Sequence, residues 1–167
     1  ALEIEGRQVW VGGWLYRLST RLDAGVPVLL LDTDLPVNDP RDRDITHTLY
    51  GGDETYRMKQ EIVLGIGGIA MLQALGFKLM GAHMNEGHSA FLTHALMRRY
   101  AHAREDLRPG ESPYDLPRVR ELCVFTTHTP VEAAHDKFDY ELVRRIYGDL
   151  LDPGTVKLLA GEDRLNM

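Results

Sequence analysis

The sequence predicts an α/β fold, a mostly parallel sheet with helices packed on it, preceded by a β-hairpin. From residue 77 onward, short apolar strand candidates alternate with segments of helical periodicity, which is the pattern of βαβ units. Before that point, strand-favouring side chains and turn residues dominate. We therefore divide the chain into a β-rich segment with a loop over 1–50 and an α/β segment over 51–167.

Composition and charge narrow the class of protein. Of the 167 residues, 44% are hydrophobic and 26% are charged, which is typical of a soluble globular domain. The net charge of -6 and the lack of a basic stripe argue against nucleic-acid binding and against an anionic membrane surface. No apolar run approaches the ~20 residues that span a bilayer. The single cysteine, Cys123, fits a reducing cytosol, so we expect a cytoplasmic protein.

The β-rich segment shows two strand patterns. Residues 2–5 and 8–16 predict a hairpin with its turn near Gly6. The apolar run over 26–34 predicts a buried strand, and the Pro- and Asp-rich residues 35–44 predict a loop.

Residues 51–76 predict one long and largely buried helix. Asp53 can accept hydrogen bonds at its first turn, and Gly76 is suited to its C-terminal end. The glycines of GIGGI, residues 65–69, lie in mid-helix and have the wrong spacing for a dinucleotide fingerprint. We interpret them as a place where a neighbouring element packs closely.

The α/β segment continues with alternating elements. We predict a strand over 77–84, a helix over 89–104, a loop over 105–117, a strand over 119–128, a helix over 139–151 and a short helical tail. In parallel sheets, ligands bind outside the carboxyl ends of the strands. Two polar loops, 83–88 and 126–136, lie at such ends, so we expect both to face one crevice.

The segment HMNEGH, residues 83–88, admits three interpretations. Its histidines are five apart, which does not match the H-E-x-x-H zinc motif, although His128, His135 and Asp136 could complete a metal shell. A strand-to-helix turn is the plain structural alternative, with Gly87 permitting a tight bend. Asn, Glu and His side chains also offer the donors and acceptors that hold sugar hydroxyls.

Two further segments are ambiguous on their own. In TTHTPVEAAHD, residues 126–136, His128 is either a ligand contact or an ordinary solvated histidine. At the start of the long helix, Arg57, Lys59 and Glu61 indicate either a solvated face with an Arg57–Glu61 pair, or a buried Arg or Glu that supports the crevice.

Taken in chain order, these segments carry a specific resemblance. The stretch LLLDTDLPVNDPRDRDITHTLYGGDETYRMKQEIVLGIGGIAMLQALG, followed by HMNEGHSAF and FTTHTPVEAAHDKF, resembles the α-glucan phosphorylase family, most of all its short prokaryotic type. The resemblance implies phosphorolysis of terminal α-1,4-glucosidic bonds of glycogen, starch or maltodextrin, with a maltooligosaccharide and phosphate as substrates. It also implies a two-domain glycosyltransferase architecture of the GT-B type, in which residues 1–167 are a Rossmann-like fragment of the N-terminal domain.

The resemblance also implies roles for individual residues. By motif match, His88 and His128 lie at the glucosyl and acceptor subsites and are the candidate catalytic residues. The main-chain carbonyl of His128 is expected to accept a hydrogen bond from the sugar. The candidate substrate-binding residues are Asn85, Glu86, His88, His128, Thr129 and Ala134. The chain departs from its short relatives in reading PVEAAHD where they tend to read PVPAGHD.

The cofactor of the family is pyridoxal phosphate, bound by a lysine of the C-terminal domain. The lysines of this chain, Lys59, Lys78, Lys137 and Lys157, match no cofactor motif. We therefore expect no cofactor-binding residue and no metal site here, and no activity from the chain alone.

Other functions stay open at this point. One is a metal-dependent hydrolase that uses His83, His88, His128 and Glu86, and another is a stand-alone carbohydrate-binding module. For a fragment, we also expect exposed apolar surface on the 51–76 helix or the 2–16 hairpin, and hence self-association.

Overall fold

A computed structural model describes most of the chain. The described residues are 1–19, 21, 25–49, 51–129, 131, 136–148, 153–160 and 163–167, with residues 153 and 158–160 described by their backbone alone. The strands are β1 (Leu2–Ile4), β2 (Arg7–Val9), β3 (Gly12–Ser19), β4 (Gly25–Asp32), β5 (Ala82–Asn85), β6 (Cys123–Thr126), β7 (Lys137–Phe138) and β8 (Leu165–Asn166). The α-helices are α1 (Pro40–Arg43), α2 (Glu54–Ile62), α3 (Gly68–Ala74), α4 (Leu92–Arg99), α5 (Leu116–Leu122), α6 (Tyr140–Tyr147) and α7 (Pro153–Ala160).

The strands pair two by two among the described residues. β1 with β2, β3 with β4 and β7 with β8 are antiparallel, whereas β5 and β6 run parallel, with His83 opposite Val124. The chain is thus a mixed α/β structure in which the predicted βαβ pattern is confirmed for β5 and β6, whereas the predicted mostly parallel sheet is wrong, since the other described pairs are antiparallel. In the described residues, no helix combines the length and the apolar character needed to cross a bilayer.

The predicted hairpin is correct in its turn and wrong in its second strand. Glu5 and Gly6 both have positive φ angles, 52° and 69°, as a two-residue hairpin turn requires. The second strand, however, ends at Val9, and β3 pairs with β4 instead. The buried side chain of Asn38 causes this break, because its amide accepts from Trp10 N and donates to Trp10 O, each at 2.7 Å.

The predicted burial of residues 26–34 is wrong for most of the strand. Val26 is 52% exposed and Leu30 is 55% exposed. Side chains paired across antiparallel strands point to one face, so Trp14, Tyr16, Leu18, Val26 and Leu30 share what we call the outer hairpin face. An apolar run indicates that a strand favours burial. It does not show whether another part of the chain packs on that strand.

The outer hairpin face leads to a prediction about the isolated chain. We expect its mass in sedimentation or light scattering to rise with concentration, because contiguous exposed apolar patches drive association. Tyr16→Glu combined with Leu30→Lys should keep the chain monomeric, since both charges fall on that face. Met80→Lys, at a residue that is 89% exposed elsewhere, is the matched control and should change nothing. A parent chain that stays monomeric at high concentration would contradict the prediction.

The predicted long helix is confirmed, with a bulge. α2 passes through a π-helical turn, Val63–Gly67, into α3. Asp53 Oδ1 accepts from Tyr56 N at 2.9 Å, and after Gly76, with its φ of 80°, Phe77 N bonds back to Leu72 O. These contacts confirm the predicted N-cap and C-terminal end of the helix.

The interpretation of GIGGI as close packing is also confirmed. A Cβ placed on Gly65 would lie 2.6 Å from Leu92 N and 2.9 Å from Phe91 C, both main-chain atoms at the start of α4. The main chain of α4 therefore rests directly on the π-helical turn. Phe91 is fully buried at this contact, within the hydrophobic core.

The remaining predicted elements need several corrections. The strand predicted over 77–84 is shorter and ends one residue later, at Asn85. The helix predicted over 89–104 is α4, which ends five residues early at Arg99 and is preceded by a 3₁₀ turn, Gly87–Ser89. Residues 119–122, predicted as strand, belong to α5, because Asp115 caps that helix by accepting from Arg118 N at 3.1 Å. The helix predicted over 139–151 is α6, which ends at Tyr147, and residues 149–151 of that prediction lie outside the described residues; the helical tail is α7.

Candidate functional site

The two polar loops predicted to share one crevice meet at the carboxyl ends of β5 and β6. Because the two strands are parallel, the loops that follow them begin at the same edge of the pair. Glu86 N donates to Thr126 O at 2.9 Å, which extends the pairing by one residue. The prediction that these loops face each other is therefore confirmed for their described parts.

Glu86 holds the loop that follows β6. Its carboxylate accepts from the main-chain N–H of His128 and from the hydroxyl of Thr127, the latter at 3.1 Å. The N–H of His128, helped by the Thr127 hydroxyl, lowers the pKa of Glu86, so this carboxyl is ionised at neutral pH. Glu86 itself has a φ of 60°, an unusual angle for a residue with a side chain, which the surrounding hydrogen bonds maintain.

The imidazole of His128 is oriented by Asn85. His128 Nε2 lies 2.9 Å from Asn85 Oδ1, at the end of β5. Since a side-chain oxygen accepts, this contact favours the tautomer with the proton on Nε2. Thr129 follows and accepts at its carbonyl from Val131 N at 2.8 Å, whereas Ala134 lies outside the described residues. The structure thus joins Asn85, Glu86 and His128 in one hydrogen-bonded unit.

His88 lies in a second and different cluster. It occupies the 3₁₀ turn before α4, and its Nδ1 is 3.9 Å from Asp136 Oδ2. Asp136 is bound by Arg57, whose Nη2 lies 2.6 Å away. A Cβ on Gly87 would lie only 2.6 Å from the carbonyl carbon of Met167, so the glycine permits a close approach of the C-terminal residue.

Glu61 completes this second cluster from α2. It is 5% exposed. When Glu61 and Asp136 are both ionised, neither carboxylate oxygen of Glu61 has a hydrogen-bond partner among the described residues. Burial raises the pKa of Glu61 to about 9, and the neighbouring Asp136 adds to the effect. Of the two interpretations of the helix start, the buried acid is correct, and the predicted Arg57–Glu61 pair is replaced by Arg57–Asp136.

A cavity of 350 Å³ opens beside His88. Its lining includes the polar side chains Arg57, Glu61 and His88, and the apolar side chains of Leu49 and of the β4 leucines. The cavity therefore joins the second cluster to the uncovered hairpin.

The histidines of the proposed hydrolase set are not brought together. His83 Nε2 lies 2.7 Å from Thr126 Oγ1, which ties β5 to β6 and supports a structural role. His128 contacts Asn85, and His88 lies near Asp136. Among the described residues, the acidic and histidine side chains close enough to share an ion are Glu61, His88 and Asp136. Sequence reasoning missed Glu61 as a member because nothing local marks its burial.

The described lysines do not fit a pyridoxal phosphate site. Lys59 Nζ is paired with Glu5 at 2.8 Å, Lys78 and Lys157 are exposed, and Lys137 is a half-buried residue of β7 with an interaction of its own. No lysine lines the cavity beside His88. A Schiff-base lysine needs a free amine directed into a pocket, and none of the described lysines is placed in this way.

The fold and the site define the class of protein. It is an α/β protein in which the loops after two parallel strands are joined by hydrogen bonds of Asn, Glu and His residues. No family model matches the chain. It is 43% identical over 143 residues to a glycogen phosphorylase of Mycobacterium tuberculosis, a match that covers 81% of this chain and 16% of that protein. It is 43% identical over 139 residues to a maltodextrin phosphorylase of Thermococcus litoralis, covering 83% and 16%. A glycogen phosphorylase of Aquifex aeolicus is 29% identical over 150 residues, covering 85% and 21%.

The resemblance seen in the sequence is therefore confirmed. Glycogen and maltodextrin phosphorylases are homologues of this chain, and the matches fit a segment of a phosphorylase. The chain spans about a sixth of the length of the M. tuberculosis and T. litoralis relatives, 16% of each.

Proposed function

We propose that this chain is part of the N-terminal domain of a cytoplasmic α-glucan phosphorylase with two domains of the GT-B type. In that enzyme it forms one wall of the sugar site, and the reaction is phosphorolysis of a terminal α-1,4-glucosidic bond to glucose-1-phosphate. The observation that carries the proposal is the unit of Asn85, Glu86 and His128, held by hydrogen bonds between the two loops.

The unit is suited to orienting a sugar. Glu86 has both oxygens occupied by Thr127 and His128 N, so it fixes the loop and is not positioned to donate a proton. Because the main-chain N–H of His128 is bound to Glu86, the loop that carries the His128 carbonyl is held in place for a ligand hydroxyl. Preorganised dipoles of this kind stabilise developing charge without reorganisation, and the charge expected here is that of an oxocarbenium-like sugar.

A titration of the chain with maltoheptaose, followed by ¹⁵N NMR, tests the sugar-binding role. We expect shifts at Asn85, Glu86 and His128, and none with a β-1,4-linked glucan of equal length. Glu86→Gln should weaken binding, because a neutral amide holds the His128 loop less firmly than a carboxylate. Glu111→Gln, whose carboxylate accepts from Arg108 N in a distant loop, is the matched control. Equal shifts with both glucans would contradict the proposed specificity.

The reaction itself is tested in the longer protein that contains this segment. We expect glucose-1-phosphate from maltodextrin and phosphate, with a loss of activity in Glu86→Gln. The 167-residue chain with added pyridoxal phosphate should release none. Release of glucose-1-phosphate by the chain alone would overturn the expectation that it is inactive, and tight glucan binding without activity in the longer protein would favour a carbohydrate-binding module.

A further inference from the structure

We propose that Glu61, His88 and Asp136 form a divalent-cation site, with Zn²⁺ as the preferred ion. One ligand atom from each of the three side chains lies within 4.8 Å of the others. The three residues come from α2, from the turn before α4 and from the residue preceding β7. An ion there would tie both polar loops to α2. This inference does not depend on the proposed phosphorylase function.

The first observation is the carboxylate of Glu61. It is buried, with 5% of the residue exposed, and both oxygens lack a hydrogen-bond partner among the described residues. Buried charges in proteins are normally paired or bound to metals. The carboxylate points into the group that contains His88 and Asp136. In its ionised form Glu61 therefore lacks a cationic partner, and an ion would replace the proton that Glu61 otherwise shares with Asp136.

The second observation is the distance between ligand atoms. Zn²⁺ binds histidine nitrogen and carboxylate oxygen at about 2.0–2.2 Å, which puts tetrahedral ligands about 3.4 Å apart. His88 Nδ1 and Asp136 Oδ2 are 3.9 Å apart, too far for a hydrogen bond and slightly wider than that spacing. Small side-chain rotations would bring the three ligand atoms, which lie within 4.8 Å of one another, to that spacing. One imidazole and two carboxylates suit Zn²⁺ better than Mg²⁺, which prefers oxygen ligands and retained water.

The charges around the group leave room for a cation. Arg57 contacts Asp136 at 2.6 Å and neutralises one of the two carboxylates. The second, Glu61, has no cationic partner at that distance among the described residues. Each ionised carboxylate has about four lone-pair sites, so Asp136 can hold Arg57 and an ion together. The competing occupant is a proton shared between Glu61 and Asp136.

Zn²⁺ binding to the 167-residue chain, after chelator treatment and dialysis, tests the site. Elemental analysis should find about one ion per chain, and bound Co²⁺ should give a visible absorption band. Glu61→Gln should weaken Zn²⁺ binding at least about tenfold, since loss even of a residue that only supports a ligand typically costs about 10- to 100-fold in affinity. His88→Gln, at a side chain that is 38% exposed and tolerates change, should do the same. His102→Gln, an exposed histidine outside the group, should bind as the parent chain does.

Two results would overturn the proposal. If neither Zn²⁺ nor Co²⁺ binds in a one-to-one ratio, the gap is filled by the shared proton. If the ion binds equally to the parent chain and to both variants, it lies elsewhere on the surface. Circular dichroism of each variant shows whether it is folded, and His88→Gln provides the decisive measurement should Glu61→Gln fail to fold. Glucan binding is measured separately, so loss of the ion site and loss of the sugar site are distinguishable.

Discussion

Replacing Glu61 by glutamine is expected to flatten the pH dependence of the unfolding free energy between about pH 6.5 and 8.5. In the folded chain, burial raises the pKa of Glu61 to about 9, from an ordinary value of 4.5. Between these two values the folded state holds a proton that the unfolded state has lost. Stability therefore falls as pH rises, by about 1.4 kcal/mol per pH unit from this residue. The glutamine carries no such proton, so its curve should be nearly level.

The buried His94 determines the lower limit of the pH range in which the effect of Glu61 is measured. Burial lowers the pKa of His94 to about 4, so the folded state excludes a proton that the unfolded state takes up below about pH 6.5. This residue makes stability fall as pH decreases, with a slope opposite to that of Glu61. Above about pH 6.5 His94 is neutral in both states, and the slope from Glu61 remains.

Urea denaturation at several pH values, in the presence of a chelator, measures the difference between the two chains. The matched control is Glu54→Gln, because Glu54 is an exposed carboxylate of the same helix that pairs with Arg164 on the surface. Its curve should run parallel to that of the parent chain. Parallel curves for Glu61→Gln as well would show that Glu61 is ionised in the folded state, contrary to its burial.

The second large effect is expected at Gly65. A Cβ at this position would meet Leu92 N at 2.6 Å and Phe91 C at 2.9 Å. These are main-chain atoms, so the clash cannot be relieved by turning a flexible side chain. Overpacking of this kind typically costs about 1–3 kcal/mol, and we expect Gly65→Ala to reach the upper part of that range. Chemical denaturation of the purified variant measures the loss.

Gly68 supplies the matched control for this prediction. It lies one turn later in the same helical segment, and the nearest atom that a Cβ there would meet outside the helix backbone, among the described residues, is a methyl carbon of Leu31 at 3.9 Å. Alanine favours a helix over glycine by about 0.8–1 kcal/mol, so Gly68→Ala should be neutral or stabilising. If the two substitutions have equal effects, the close approach of α4 at Gly65 is not what limits this position.

Local patterns in the sequence predicted what depends on neighbouring residues. Asp53 and Gly76 were recognisable as helix ends because capping uses atoms within one turn. The order of strand, polar loop and helix predicted that the loops after β5 and β6 meet, since parallel strands end at one edge. The resemblance to α-glucan phosphorylases, carried by NEGHSAF and TTHTPV, is borne out by relatives that are 43% identical.

Contacts between distant parts of the chain decided the rest. Asn38 hydrogen-bonds to the main chain of Trp10, and β2 ends there. Arg57 pairs with Asp136 and not with Glu61. Neither pairing leaves a mark in the local sequence. For the same reason, the sequence could not predict that the histidines lie in two separate clusters. His128 contacts Asn85, whereas His88 lies near Glu61 and Asp136.

By itself, the sequence determined the resemblance to phosphorylases, the α/β alternation and the edge at which the polar loops meet, because these follow from motif order and periodicity. Only the tertiary structure decided which groups are buried and what each polar atom contacts. Burial is a property of packing between elements that are far apart along the chain, so the periodicity that places Glu61 on a helix cannot show that it faces inward. The same limit explains why the apolar run of β4 was expected to be buried and is exposed here.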